Sequence, residues 1–158
     1  MVDGNYVDLN IWDTAGQERF HALGPMYYRD SQGALLIYDI TDQRSFEKVK
    51  VWVKELRGML KDSVTLTIIG NKTDLERDRV VDSSVAKDYA TSVGATYYET
   101  SAKENLGISV VFEEITKLMI ERKKLVNSGE VASPTISRRR NRNILVVEDD
   151  PTPSKKCC

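Results

Sequence analysis

Short apolar runs of strand character alternate along this chain with segments whose apolar residues recur at helical spacing, and that alternation leaves few folds open. Val7, Leu9 and Ile11 alternate with Asp8 and Asn10, the period of two expected of a half-buried strand. Ala34 to Tyr38 and Val64 to Ile69 read as more fully buried strands, and Tyr97-Tyr98 as a shorter one. Between them, Phe46, Val49, Val53, Leu56 and Leu60 lie at helical spacing, with Asp42 or Ser45 available to cap the first turn. Val85, Tyr89 and Val93 repeat the pattern and Gly94 closes it. Ile108, Val111, Phe112, Ile115 and Met119 form a last amphipathic stretch before Glu121-Arg122-Lys123-Lys124. Strands alternating with helices predict an α/β fold, a doubly wound, mostly parallel sheet with helices on both faces. Ligands of such sheets sit at the carboxyl ends of the strands.

With 158 residues the chain fits one domain plus a tail. The expected division is a folded body over 1–127 and a disordered tail over 128–158. From Ser133 to Cys158 there are 6 basic and 3 acidic residues, against 17 and 21 in the remainder, so body and tail carry opposite net charge. The tail holds three of the four prolines and no sustained periodicity. A formal charge of −1 argues against bulk nucleic-acid binding. The apolar runs are too short to span a bilayer, and the first residues lack a secretory signal, which predicts a reducing, cytosolic setting. Cys157 and Cys158 are adjacent at the end of the chain and cannot staple a core. His21, the only histidine, has no metal-ligand pattern around it and reads as a loop residue.

Three short motifs follow predicted strands. They are Trp12-Asp13-Thr14-Ala15-Gly16-Gln17, Asn71-Lys72-Thr73-Asp74 and Ser101-Ala102-Lys103. Each alone is weak, since an Asp with a Gly three residues on is usually a turn. In this order, each after a strand, they resemble the Rab family of small GTPases, and Trp12 to Asp42 is most similar to its early-endosomal branch.

The resemblance implies a guanine-nucleotide-binding switch that hydrolyses GTP and regulates vesicle and endosomal traffic, with GTP or GDP and Mg²⁺ as its ligands. It places the Asp74 carboxylate against guanine N1–H and N2–H, which adenine could not satisfy. Asn71 would support the base edge, Lys72 and Lys103 the two ring faces, and the Ala102 N–H guanine O6, with Ser101 bracing the loop. Asp13 would hold Mg²⁺ through water. Gly16 would approach the γ-phosphate, and Gln17 would orient the attacking water, a role the resemblance implies. Glu18 to Asp30 would form the second switch. Trp12 and Tyr27 match the aromatic effector surface, although Trp12 could equally pack beside its strand.

The tail carries its own resemblance. Cys157 and Cys158 after Lys155-Lys156 are similar to a dicysteine prenylation signal, and two lipid chains give the stable anchoring that one cannot. Arg138, Arg139, Arg140 and Arg142 would either approach an anionic leaflet or serve as a solvated linker; a nucleic-acid contact is a third reading. Ile144 and Val146 resemble the aliphatic motif that meets the prenylation escort protein. Further implied partners are effectors, an exchange factor, a GTPase-activating protein and a dissociation inhibitor. The implied location is the cytoplasmic face of endomembranes, at the early endosome, with a cytosolic form after extraction.

None of the nine glycines is followed by lysine, so the sequence contains no Gly-x-x-x-x-Gly-Lys phosphate loop. Relative to the family, the G domain lacks its first strand, phosphate loop, first helix and second strand, as in a truncated gene model, an alternative start or a fragment. Losing about four charge-assisted hydrogen bonds at ~1.5–3 kcal/mol each removes roughly 6–12 kcal/mol. That corresponds to roughly 10⁴-fold or more in affinity. The absent first strand would open two edges in mid-sheet, between the strand of Val7 to Trp12 and that of Ala34 to Asp39. The chain alone is therefore expected to be unstable or to fold with a rearranged sheet. The alternative function is a nucleotide-free interaction fragment that keeps part of the effector and escort surfaces.

Overall fold

The computed structural model describes residues 2, 4, 6–15, 31–128 and 143–148. Five strands, β1 (Asn10–Ala15), β2 (Ser31–Asp39), β3 (Thr65–Asn71), β4 (Thr96–Glu99) and β5 (Asn143–Glu148), form one sheet in the order β1-β5-β2-β3-β4. All four strand pairings are parallel. Three helices, α1 (Gln43–Leu60), α2 (Ser83–Ser92) and α3 (Ile108–Ser128), pack against it. The expected α/β architecture is present.

Side-chain alternation along β2 sorts the helices onto the two faces. Ala34, Leu36 and Tyr38, with Leu66 and Ile68 of β3, pack against Phe46, Val49, Val53 and Leu56 of α1 and Ala86 and Ala90 of α2. Leu35 and Ile69 point the other way and meet Val111, Ile115 and Met119 of α3. A strand buried on both faces reads as a continuous apolar run, as Ala34 to Tyr38 does.

Asp42, not Ser45, caps α1: its Oδ1 accepts the Arg44 N–H at 2.8 Å. Ser45 is buried and donates its hydroxyl to the Asp42 carbonyl at 2.7 Å. The apolar stripe of α2 lies one residue away from the expected one. Ala86 and Ala90 are buried while Val85 is 55% exposed, because two alanines at i and i+4 let the helix lie close to the sheet. Gly94 has φ +64 and ends the helical segment, a conformation costly to residues with a Cβ.

The main departure concerns the segment read as a disordered tail. Within 128–158, Ser128 still belongs to α3 and Asn143–Glu148 forms β5 at the interior of the sheet. Asn10↔Asn143 through Ala15↔Glu148 define its register with β1, and Gly33↔Ile144 through Leu36↔Val147 its register with β2. The two edges expected in mid-sheet are thus both paired. Ile144 to Val147 is an apolar run, β-branched at three of its four positions, that a central strand accommodates, and an open slot between two parallel strands supplies both ladders at once. β1 also differs from expectation, because it begins at Asn10 and runs through Ala15, so Trp12 and Asp13 lie within the strand. No helix among the described residues is long and apolar enough to cross a membrane.

Candidate functional site

The carboxyl ends of β3 and β4 bring two of the three motifs together. β3 stops at Asn71, and Lys72, at φ 70 and ψ 39, turns the chain through the left-handed region into the 3-10 segment Thr73–Asp78. Such a conformation is uncommon for a non-glycine residue and reverses the chain within one step. After β4, the Thr100 N–H donates to the Gly70 carbonyl at 2.9 Å and the Thr73 N–H to the Thr100 carbonyl at 3.1 Å, joining the two loops through their backbones. Reciprocal N–H to carbonyl bonds between Ser101 and Leu106, at 3.1 and 2.9 Å, close the second loop. Gly107 follows at φ +75, where a Cβ would stand 2.9 Å from the Glu99 carbonyl oxygen.

On this frame the side chains converge. Ser101, fully buried, donates its hydroxyl to Asp74 Oδ1 at 2.6 Å and accepts the Glu104 N–H at 3.2 Å. Lys103 Nζ lies 3.5 Å from Asp74 Oδ2, with its side chain 76% exposed and that of Asp74 6% exposed. The carboxylate is therefore fixed and the lysine is the partner able to move. Asn71 Oδ1 accepts both the Ala102 N–H at 3.1 Å and the Thr100 hydroxyl at 3.2 Å. With its oxygen committed, Asn71 has only its NH₂ to offer a ligand. The Ala102 N–H, expected to face guanine O6, is here turned to Asn71, so a base would have to share or exchange that donor.

The Ser101 hydroxyl, with a backbone N–H and the Lys103 ammonium behind it, holds the Asp74 carboxyl below the usual carboxylate range against the opposing effect of burial. A lowered pKa contributes stability that is present above the ordinary carboxylate value and lost as pH falls through the lowered one. At neutral pH Asp74 is an ionised, acceptor-only group. Lys72 Nζ reaches Asp39 Oδ2 at 2.7 Å, while Asp39 Oδ1 accepts the Thr41 N–H and hydroxyl at 2.8 and 2.7 Å. Burial pushes the Asp39 carboxyl up, but Lys72 and Thr41 outweigh it and the net shift is downward. Beside these loops, a cleft of about 320 Å³ is lined by Leu35, Ile69 and Phe112 together with Asn71, Thr100 and Ala102. That volume is within the range of small-molecule pockets.

One positioning residue escaped the sequence reading. Arg79 follows the 3-10 segment and donates to both Glu76 oxygens at 2.8 and 2.6 Å and to both Glu99 oxygens at 2.9 and 3.1 Å. Glu99 Oε1 also accepts the Tyr97 hydroxyl at 2.6 Å, and Tyr97 meets Tyr38 at 3.0 Å. Burial, then the bond to Glu99, raises the Tyr97 pKa strongly, so the phenol stays a neutral donor. Arg79 thereby ties the turn carrying Asp74 to the strand end preceding Ser101. The only sequence signal was an arginine after an acidic turn, which is common on any surface. Arg79→Ala is expected to destabilise the fold by about 2–3 kcal/mol, because Glu99 loses a bidentate, partly buried partner; chemical denaturation checks this.

The third motif does not join the cluster. Asp13 pairs with Val146, which pairs with Leu35 and through it with Thr67, whereas Asn71 pairs with Asp39 four residues farther along. Three strand spacings of about 4.8 Å and four residue rises of about 3.3 Å separate Asp13 from Asn71 in the sheet. Among the described residues no group of three or more His, Cys, Asp or Glu could hold a metal ion. Trp12 is 49% exposed on β1. Gly16, Gln17, His21, Tyr27, Arg138, Arg139, Arg140, Arg142, Cys157 and Cys158 lie outside the described residues. The base end of a guanine nucleotide thus fits the residues present, through Asn71, Asp74, Ala102 and Lys103. Among the described residues, Asp13 stands apart from that cluster.

Comparison with known proteins gives the family. The Ras family model matches residues 1–121. The chain is 49% identical to the Ras-related protein Rab-21 of Mus musculus over 159 residues, covering 99% of this chain and 72% of that protein. It is 50% identical to the Homo sapiens Ras-related protein Rab-21 over 160 residues, covering 99% and 71%. The Dictyostelium discoideum Ras-related protein Rab-21 is 51% identical over 164 residues, covering 99% and 76%.

Proposed function

Because this chain belongs to the Ras family, in the early-endosomal branch of the Rab small GTPases that bind GTP and act in membrane traffic, we propose that its β3 and β4 loops are the guanine-reading part of such a switch. The observation that carries the reading is the convergence of an ionised Asp74 with Asn71, Ala102 and Lys103 at adjoining strand ends. Asp74 accepts N1–H and N2–H of guanine, the Asn71 NH₂ donates to the acceptors of the base edge, and Lys103 swings from Asp74 to cover the ring. Adenine presents an acceptor at N1 and no amine at C2, so it leaves the carboxylate unpaired.

The finer assignments follow the family. They are action at the cytoplasmic face of the early endosome, prenylation at Cys157 and Cys158, and engagement of effectors through Trp12 and Tyr27. Exchange factor, GTPase-activating protein, escort protein and dissociation inhibitor are the corresponding regulators. GTP hydrolysis, with Gln17 orienting water and Asp13 holding Mg²⁺, belongs to the family activity and requires a phosphate-binding loop that these 158 residues do not contain.

Asp74→Asn tests the reading. The asparagine presents one acceptor and one donor, which suits a base carrying a carbonyl at C2, as xanthine does. The wild-type chain should favour guanosine over xanthosine by roughly tenfold or more, and the variant should reverse that order. Ligand-observed NMR titration measures both ratios. An unchanged ratio in the variant would remove Asp74 from base recognition.

A further inference from the structure

The geometry points to Asp39 as a positioning residue for base binding: by holding the Lys72 ammonium, it stretches the lysine stem into a fixed rail on which one face of the guanine ring lies. The assignment rests on the base-reading role given above to Asn71 and Asp74. It goes beyond that role by placing a determinant of affinity on β2, outside the two loops that read the base edge.

β2 and β3 end side by side, since Asp39 pairs with Asn71 and the Ile40 N–H donates to the Asn71 carbonyl at 3.1 Å. Lys72 is the next residue, and its left-handed backbone turns the chain into the segment that carries Asp74. Its side chain reaches to β2, where Nζ stands 2.7 Å from Asp39 Oδ2. The methylene stem of the lysine therefore spans the strand spacing of about 4.8 Å at the carboxyl ends of the sheet, where ligands of such sheets lie. With 43% of the side chain exposed, Lys72 keeps surface for a ligand while its head is committed.

The rail is fixed because Asp39 is itself held from several directions. Its N–H donates to the Ser45 hydroxyl at 3.0 Å, and its carbonyl accepts the Asp42 N–H at 3.0 Å. Its Oδ1 accepts the Thr41 N–H and hydroxyl, which leaves Oδ2 for Lys72. Thr41, Asp42 and Ser45 lie at the start of α1, so the carboxylate is anchored to a helix packed on the sheet. A lysine on so fixed an acceptor has lost rotamer freedom before any ligand arrives, and a preorganised side chain costs less to order on binding. Lys103 is the contrast, 76% exposed and 3.5 Å from its carboxylate. One ring face thus meets a stem already in place, and the other a stem that closes afterwards.

Asp39→Asn leaves one acceptor oxygen where two are in use. Thr41 brings two donors to Oδ1, so the new NH₂ group faces the Lys72 ammonium, donor against donor. The test is a double-variant cycle in the full 158-residue chain, titrated with guanosine, xanthosine and adenosine and read by ligand-observed NMR. Asp39→Asn should weaken guanosine roughly threefold to tenfold, the size of one interaction between contacting residues. In a Lys72→Ala background the same substitution should change affinity by less than about twofold. The preference for guanosine over xanthosine should persist in Asp39→Asn, because Asp74 still reads the base edge. Equal weakening in both backgrounds, or no weakening in either, would overturn the role of Asp39 and leave base selection intact. Equal binding of guanosine and adenosine by the wild type, or no binding of either, would remove the base reading and this inference with it.

Ring-current shifts test the same point without a variant, should Asp39→Asn fail to fold. Saturating guanosine should move the Lys72 methylene protons upfield and leave the Thr41 amide, which reports the Asp39 carboxylate, where it was. Methylene protons that do not move, or a Thr41 amide that shifts with them as the ion pair opens, would overturn the inference.

Discussion

Replacing Val146 by proline is expected to destabilise the protein by about 3 kcal/mol or more, lowering the melting temperature by roughly 10 °C. Val146 is central in β5, opposite Asp13 on one side and Leu35 on the other. Proline has no N–H, so one ladder bond is lost whichever neighbour Val146 addresses, and its ring obstructs a strand bounded on both sides. The consequence spreads, because among the described residues β5 alone links β1 to the rest of the sheet. When β5 is released, β1 loses its ladder and β2 keeps only β3. Amide hydrogen exchange should then show Asn10 to Ala15 unprotected, while protection persists in Thr65 to Asn71. Val146→Ile, which keeps the β-branched shape, should melt close to wild type. If the proline variant melts with the wild type and Asn10 to Ala15 stay protected, Asn143–Glu148 is not in the sheet.

Phe46→Ala is expected to cost about 3–5 kcal/mol. Phe46 is fully buried at the start of α1. Its ring sits 5.0 Å from that of Tyr38 in β2 and 5.8 Å, edge-on, from that of Tyr89 in α2. Truncation removes the transfer free energy of the ring and leaves a cavity where sheet, α1 and α2 meet, and three packed elements cannot all move to close it. Tyr38 also holds the Tyr97 hydroxyl that bonds Glu99, so loosening its packing reaches the Arg79 clamp and the loop of Asp74. Denaturant unfolding should show a lower midpoint with an unchanged slope. A midpoint within experimental error of wild type would mean that this packing contributes little to the fold.

Much of the fold was legible where local pattern and tertiary environment demand the same thing. The run Ala34 to Tyr38 is apolar at every position because both faces of β2 are covered. Phe46, Val49, Val53 and Leu56 repeat at helical spacing because α1 lays one stripe on the sheet. The convergence of side chains at the ends of β3 and β4 was legible for a similar reason. Asn71, Asp74, Ser101 and Ala102 sit within a few residues of strand ends, so element order alone brings them to one edge. Arg79 was not legible, because its meaning depends on Glu99, twenty residues away and fixed only by β3 and β4 pairing. Val85 was misread as a core position because periodicity counts apolar residues, whereas packing close to a sheet selects small ones, and Ala86 and Ala90 meet that need.

What the sequence by itself determined is the order and type of the elements through α3, and the chemistry of the two loops that meet at Asp74. Both depend on local periodicity and on residues close to strand ends. The role of Ile144 to Val147 was decided only by the tertiary structure. Within a charged, proline-containing tail those four residues look like any short apolar run. A strand is defined by its partners, and the partners of β5, Asn10 to Ala15 and Ser31 to Leu36, lie more than a hundred residues back along the chain. No local signal encodes such pairing, because the free energy that selects it comes from closing a vacant position between two strands, not from the preference of the segment itself.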